Sequence, residues 1–124
     1  MIRNIAGRPV YVCVDEGPSL ADDYELSGLI GELFDASAKI VAIPLPRLGP
    51  DFLRLSTGVA GRALQKLVNY RFQVAILGDV SAPVGNSEPL RDFVRESNRG
   101  ATVWFVDDLA ALEAKLAAGR YGKA

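Results

Sequence analysis

Val10-Tyr11-Val12-Cys13-Val14 decides how the rest of the chain reads. Five apolar or aromatic residues in a row, with no polar alternation, are the pattern of a strand covered on both faces. Such strands belong to parallel sheets whose connections are helices. Three more short apolar runs follow: Ile40–Ile43, Val74–Leu77 and Val103–Val106. Between these runs the chain alternates strands and amphipathic helices.

Before the first run, Ile2–Ala6 and Pro9–Val14 read as two strands of a hairpin, with Gly7-Arg8 as the tight turn. Pro9 then begins its strand, where no ladder donor is needed. Asp15–Asp23 is polar, contains Gly17-Pro18, and reads as a loop. A helix is expected over Asp22–Ser37, capped by Asp22 or Asp23, with Leu26, Leu29, Ile30, Leu33 and Phe34 as its buried stripe. Lys39–Leu45 is the third strand, closed by Pro44 and Pro46, and Leu48-Gly49-Pro50 is a turn. Asp51–Tyr70 reads as a helix capped by Asp51, and Phe72–Leu77 as the fourth strand. Val80–Glu88 carries Pro83, Gly85 and Asn86 and is expected to be a long flexible loop. Pro89–Asn98 is a short helix capped by Ser87 and ended by Gly100. Thr102–Val106 is the fifth strand, and Asp107-Asp108 caps a last helix to about Ala118.

The expected fold is α/β, in two or three layers. A five-stranded, mostly parallel mixed sheet carries an N-terminal hairpin and about four helices. Its layout is STAS-like, with flavodoxin-like as the alternative. Residues 1–118 form one domain and residues 119–124 a frayed tail. The glycine pairs Gly28/Gly31 and Gly58/Gly61 each share a helical face. Close packing of helix on sheet or helix is their simplest use; a contact between two copies of the chain is the functional one.

Composition narrows the function classes. Length, 124 residues, suits a single core, and mean hydropathy is +0.15. With 14 basic and 15 acidic residues the net charge is -1, so neither nucleic acid nor an anionic membrane surface is an expected partner. No stretch is long enough for a membrane helix and no signal peptide is legible, so a reducing cytoplasm is the expected location. The chain has no histidine, which removes Ser-His-Asp and Cys-His catalysis and histidine-based metal sites. Cys13 is the single cysteine, and inside an apolar run it behaves as a small hydrophobe.

Ligands in such sheets bind beyond the carboxyl ends of the strands. That rim carries Asp15, Glu16, Arg47, Asp51, Asp79, Ser81, Asp107 and Asp108. Clustered carboxylates can hold Mg²⁺. Each of these loops also precedes a helix, where Asp is a preferred cap, and capping is the simpler reading. Ser56-Thr57-Gly58 can take a phosphate or bind an anion near a helix start, or merely cap that helix. Arg91, Arg95 and Arg99 form like-charge pairs four apart, so Arg91 or Arg95 can reach off the helix, to Asp79 or to a partner. A solvated face is the simpler reading there too.

Two segments carry a resemblance. Asp51-Phe52-Leu53-Arg54-Leu55-Ser56-Thr57-Gly58-Val59-Ala60-Gly61, continuing through Leu64-Gln65-Lys66 and Asn69-Tyr70-Arg71, is the first. Val74-Ala75-Ile76-Leu77-Gly78-Asp79 with Leu90-Arg91-Asp92-Phe93 and Glu96-Ser97-Asn98-Arg99-Gly100 is the second. Together they resemble a bacterial family catalogued as domain of unknown function family 4180. That resemblance spans nearly the whole chain and implies a small standalone bacterial protein; it carries over no catalytic residue. More distantly, the chain is similar to the STAS fold of anti-sigma-factor antagonists. There a serine in an Asp-Ser-Ser-Gly-like motif is a phosphorylation switch. Leu55-Ser56-Thr57-Gly58 would place Ser56 as its counterpart, with Leu55 where the acidic residue should stand.

The expected function is therefore a non-enzymatic regulatory or protein-binding module of STAS-like architecture. Its candidate residues are Ser56, Thr57, Gly58, Asp51, Asp79, Ser81 and Arg91. A protein partner or a second copy of the chain would be bound, and no cofactor is expected. The alternative is a small-molecule or divalent-metal-binding enzyme that uses the acidic rim.

Overall fold

A computed structural model describes the backbone of residues 1–122 and the side chains of residues 1–118. Five strands form one sheet: β1 (Ile2–Ile5), β2 (Arg8–Val12), β3 (Ile40–Pro44), β4 (Gln73–Leu77) and β5 (Val103–Val106). They lie side by side in chain order, β1-β2-β3-β4-β5. Only β1 and β2 are antiparallel; every later pair is parallel. The α/β class, the mixed sheet and the opening hairpin are as the sequence predicts. A flavodoxin-like sheet reverses its strand order at a switch point, and this one never reverses.

Chain-order strands have a strong consequence. Parallel crossovers are almost always right-handed. Three of them in the same direction place their helices on the same face of the sheet. Those helices are α1 (Asp23–Asp35), α2 (Val59–Asn69) and α4 (Glu88–Arg99). Residue alternation along the strands confirms two distinct faces. Tyr11, Cys13, Val41, Ile43, Val74, Ile76, Val103 and Phe105 belong to the core under these helices, with Leu26, Leu29, Leu33, Ala63, Leu64 and Leu67. Their neighbours Val10, Ile40, Ala42, Ala75 and Trp104 face the other way, against Leu112 and Leu116 of α5 (Leu109–Gly122). Ala42 and Ala75 are small, which lets a single helix lie close across the middle of that face.

Local signals set most element ends. Asp22 Oδ2 accepts from the Glu25 amide at the head of α1, Ser87 Oγ from the Leu90 amide at α4, and Asp108 Oδ1 from the Ala111 amide at α5. At the outer edge, Asn98 Oδ1 accepts from the Phe105 amide at 2.7 Å. Trp104 Nε1 donates to the Gly100 carbonyl, and Lys115 Nζ lies 4.9 Å from the Trp104 ring centroid. These bonds tie α4, β5 and α5 into one corner.

Several sequence expectations need correction. The hairpin turn is Ala6-Gly7, with φ of 53° and 80°, rather than Gly7-Arg8; two positive φ values match the twist of paired strands. The helix expected from Asp51 begins only at Val59. Gly58 takes the left-handed conformation, φ 77°, and separates α2 from a short 3-10 turn over Leu55–Thr57. Phe52, fully buried, plugs the core from within the intervening turns. The loop expected over Val80–Glu88 contains a short helix, α3 (Ser81–Gly85). Gly28, Gly31 and Gly61 meet nothing within 4 Å of an added Cβ, so close packing is not their role. The backbone of α5 is helical to Gly122, past the expected end at residue 118, while residues 123–124 of the expected tail lie outside the described residues.

Phe52 tests this account of the β3–α2 connection. Replacing it with Ala should cost about 3–5 kcal/mol by urea denaturation, the range for a fully buried aromatic. A midpoint indistinguishable from wild type would mean that the segment is not anchored by this ring.

Candidate functional site

The rim residues singled out from the sequence are spread along the carboxyl edge and are mostly occupied with local structure. Asp79, fully exposed, accepts from the Ser81 amide at 2.9 Å, and its bonds to Ser81 hold its carboxyl below the usual range. It thus organises the start of α3. Asp51 pairs with Arg54 at 3.8 Å, both exposed. Thr57 Oγ1 donates to the carbonyl of Arg54 at 2.8 Å and accepts from the Val59 amide at 3.2 Å, so it caps α2 from the preceding turn. Ser56 and Gly58 are exposed beside it. Arg91 is exposed on α4. Arg95 and Arg99 are taken up by Asp92 at 2.7 Å and Glu96 at 3.4 Å, opposite charges three apart, rather than reaching Asp79. Among the described residues no group of three Cys, Asp or Glu side chains could hold a metal ion.

Side chains do converge at one place on this edge. A cleft of about 280 Å³ opens beside the carboxyl end of β2, lined by Tyr11, Cys13, Val14, Leu20, Glu25, Gly28, Glu32 and Arg47, among others. It lies at the margin of the helical layer. The first crossover starts from β2, so no helix covers β1 on this face, and Ile2 there is 43% exposed.

Arg47 forms the back of the cleft. It sits on a 3-10 turn, Leu45–Leu48, immediately after β3. Proline at Pro44 and Pro46 prevents the strand from continuing and turns the chain inward. Only 9% of Arg47 is exposed, and it is the one buried charged or polar residue among those described. Its Nε donates to the Pro18 carbonyl and its Nη1 to the Val14 carbonyl, both at 3.0 Å. The β2–α1 loop therefore wraps the guanidinium. Gly17, φ 141°, lies flat against it: an added Cβ would stand 2.9 Å from Arg47 Cζ. Only glycine allows that approach.

Two features leave Arg47 incompletely satisfied. Among the described residues it makes no ion pair with a carboxylate. Among the described residues its Nη2 has no hydrogen-bond partner, and no buried side-chain nitrogen lacks one. Nη2 is thus open to solvent, and the cleft is the opening that Arg47 lines.

Another part of the lining is one stripe of α1. Glu25, Gly28, Leu29 and Glu32 recur at helical spacing. Gly28 contributes empty space where any other residue would place a side chain. Glu32 Oε1 accepts from the Tyr11 hydroxyl at 2.5 Å. That bond, with burial and the Glu32 charge, pushes the Tyr11 phenol up to about 12. Burial raises the Cys13 thiol to about 11 despite the nearby Arg47 cation, so the thiolate is scarce at neutral pH. Cys13 is thus the buried hydrophobe its sequence context predicts.

The sequence places Arg47 on the rim but does not mark Tyr11, Glu25 or Glu32 as site residues. A glycine in the middle of a charged helical face, with glutamates three before and four after it, is the signal that could have found them.

The comparisons with known proteins bear on the whole chain. The profile of a domain of unknown function, DUF4180, matches residues 5–116, and the chain belongs to that family. Comparison with curated proteins and with solved structures found no match. No helix among the described residues is long and apolar enough to cross a membrane.

The Tyr11–Glu32 bond predicts a pH signature. A phenol raised from about 10 to about 12 lends stability that is fully present below pH 10 and is lost as pH rises towards 12. Wild type should therefore lose more stability than Tyr11→Phe between pH 10 and 12, measured by urea denaturation at each pH. Cys13 titrates in both proteins, so the difference isolates Tyr11. Parallel curves would show that the bond does not form in solution.

Proposed function

We propose that this DUF4180 domain is a small regulatory binding module whose ligand seat is the Arg47 cleft and whose ligand carries a carboxylate or similar compact anion. One observation carries the reading: Arg47, nine-tenths buried, lines the cleft without a carboxylate partner among the described residues. A buried charge is costly unless it is paired. Two loop carbonyls offset part of that cost and fix the plane of the fork. An incoming carboxylate would complete the pairing with a charge-assisted bond in a partly desolvated place. The same two bonds also pin the β2–α1 loop, and the two roles are compatible: a loop held by the ligand-binding group responds when the ligand arrives.

Cleft size supports a small occupant. About 280 Å³ lies just below the range typical of drug-sized ligands. Thermal melting with a panel of small carboxylates should raise the Tm in a concentration-dependent way. Gly28→Leu should abolish the shift without loss of fold, because the helix gains stability from losing a glycine while the cleft is filled. A panel that leaves the wild-type Tm unmoved would remove the support for this reading.

A second reading concerns protein binding. Ser56 is exposed on the turn that leads into α2, at the carboxyl edge of a sheet with chain-order strands. This is the position a STAS-like phosphorylation switch would use. Under this reading Ser56→Asp releases a specific cellular partner that wild type retains, with the Tm unchanged. Equal retention by both proteins would count against it.

A further inference from the structure

We infer that the ligand of the Arg47 cleft is a zwitterion, a small α-amino acid or a close analogue, with its carboxylate on Arg47 and its ammonium group on the α1 wall. The inference rests on the proposed anion seat and adds the second half of the ligand.

Charge balance in the cleft decides the class. A site for a phosphate-rich ligand gathers cations; this one sets two carboxylates, Glu25 and Glu32, against one cationic side chain, Arg47, and Met1, whose ammonium group is already donating to the Val12 carbonyl. A polyanion entering to meet Arg47 would be brought up against both glutamates. A simple carboxylate would satisfy Arg47 and leave the glutamates as a repulsive rim. A molecule that carries an anion and a cation a few bonds apart meets both.

Geometry on the α1 wall agrees. Glu25 and Glu32 stand on one helical stripe, two turns apart, with Gly28 between them. Missing side-chain volume at Gly28 leaves room for the body of a ligand where a Cβ would meet nothing within 4 Å. Glu25 makes no side-chain hydrogen bond or ion pair among the described residues, although it is only partly exposed. Glu32 spends one lone pair on the Tyr11 hydroxyl, and a carboxylate has about four such sites, so it remains able to accept from an ammonium group. Apolar contacts from Leu20, Leu29 and Val14 remain for a small side chain.

Matched pairs of ligands separate this inference from the one beneath it. Binding of small α-amino acids and of the corresponding acids without the amino group would be measured by calorimetry on wild type, Glu25→Gln and Gly28→Leu. At least one amino acid should bind about tenfold or more tightly than its des-amino partner, the gain expected from one charge-assisted contact. Glu25→Gln should erase that preference, weakening the amino acid while the des-amino acid binds at least as tightly as to wild type, and it keeps the shape of the helix. Gly28→Leu should abolish both. Des-amino acids that bind as well as amino acids, with Glu25→Gln silent, would overturn the zwitterion and leave the anion seat standing. If neither kind binds, the seat itself is refuted and the zwitterion with it; inorganic phosphate binding instead of both would overturn the zwitterion and leave the anion seat standing.

Discussion

Handedness governs this molecule. Each β-α-β crossover turns the same way, and the strands follow one another without reversal. Three helices are thereby committed to one face of the sheet, and the second face is left to α5. No crevice opens between oppositely wound halves, because there is only one winding direction. A ligand seat must come from elsewhere, and it comes from the boundary of the helical layer. There the first crossover begins and the hairpin strand β1 lies beyond it.

Arg47 links that boundary to the loop above β2. It arrives from the end of β3, in a turn forced by two prolines, and is wrapped by a loop that ends β2. Gly17 contributes by having no side chain, since any Cβ there would press on the guanidinium. The arrangement joins a structural task to a chemical one. The bonds that hold the loop also fix the plane of the guanidinium that lines the cleft.

Strands were legible in the sequence because apolar runs without alternation call for cover on both sides, although the first run overshoots: β2 ends at Val12 and Val14 is exposed. Caps were legible at Asp22, Ser87 and Asp108, since each precedes its helix with a short acceptor side chain. Other features were hidden for identifiable reasons. Ala6 adopts a positive φ that its type rarely takes, so the turn reads one residue late. Asp51–Tyr70 reads as one helix until one sees that Phe52 enters the core from a turn and that Gly58 interrupts the chain direction. Pro83 and Gly85 mask a helix of a single turn and a half. The cleft was hidden most thoroughly. Glu25 and Glu32 read as an ordinary solvated face, and only the packing of α1 beside the end of β2 makes that face part of the lining it shares with Arg47.

Asn98 carries a different kind of consequence. Its side-chain oxygen occupies the amide of Phe105, on the outermost strand of a sheet whose open margin would otherwise accept another chain. With that donor already spent and α4 folded alongside, a neighbour offering its own backbone finds no continuous ladder to extend. The margin is thereby interrupted at the point where strand-by-strand polymerisation would need a free donor.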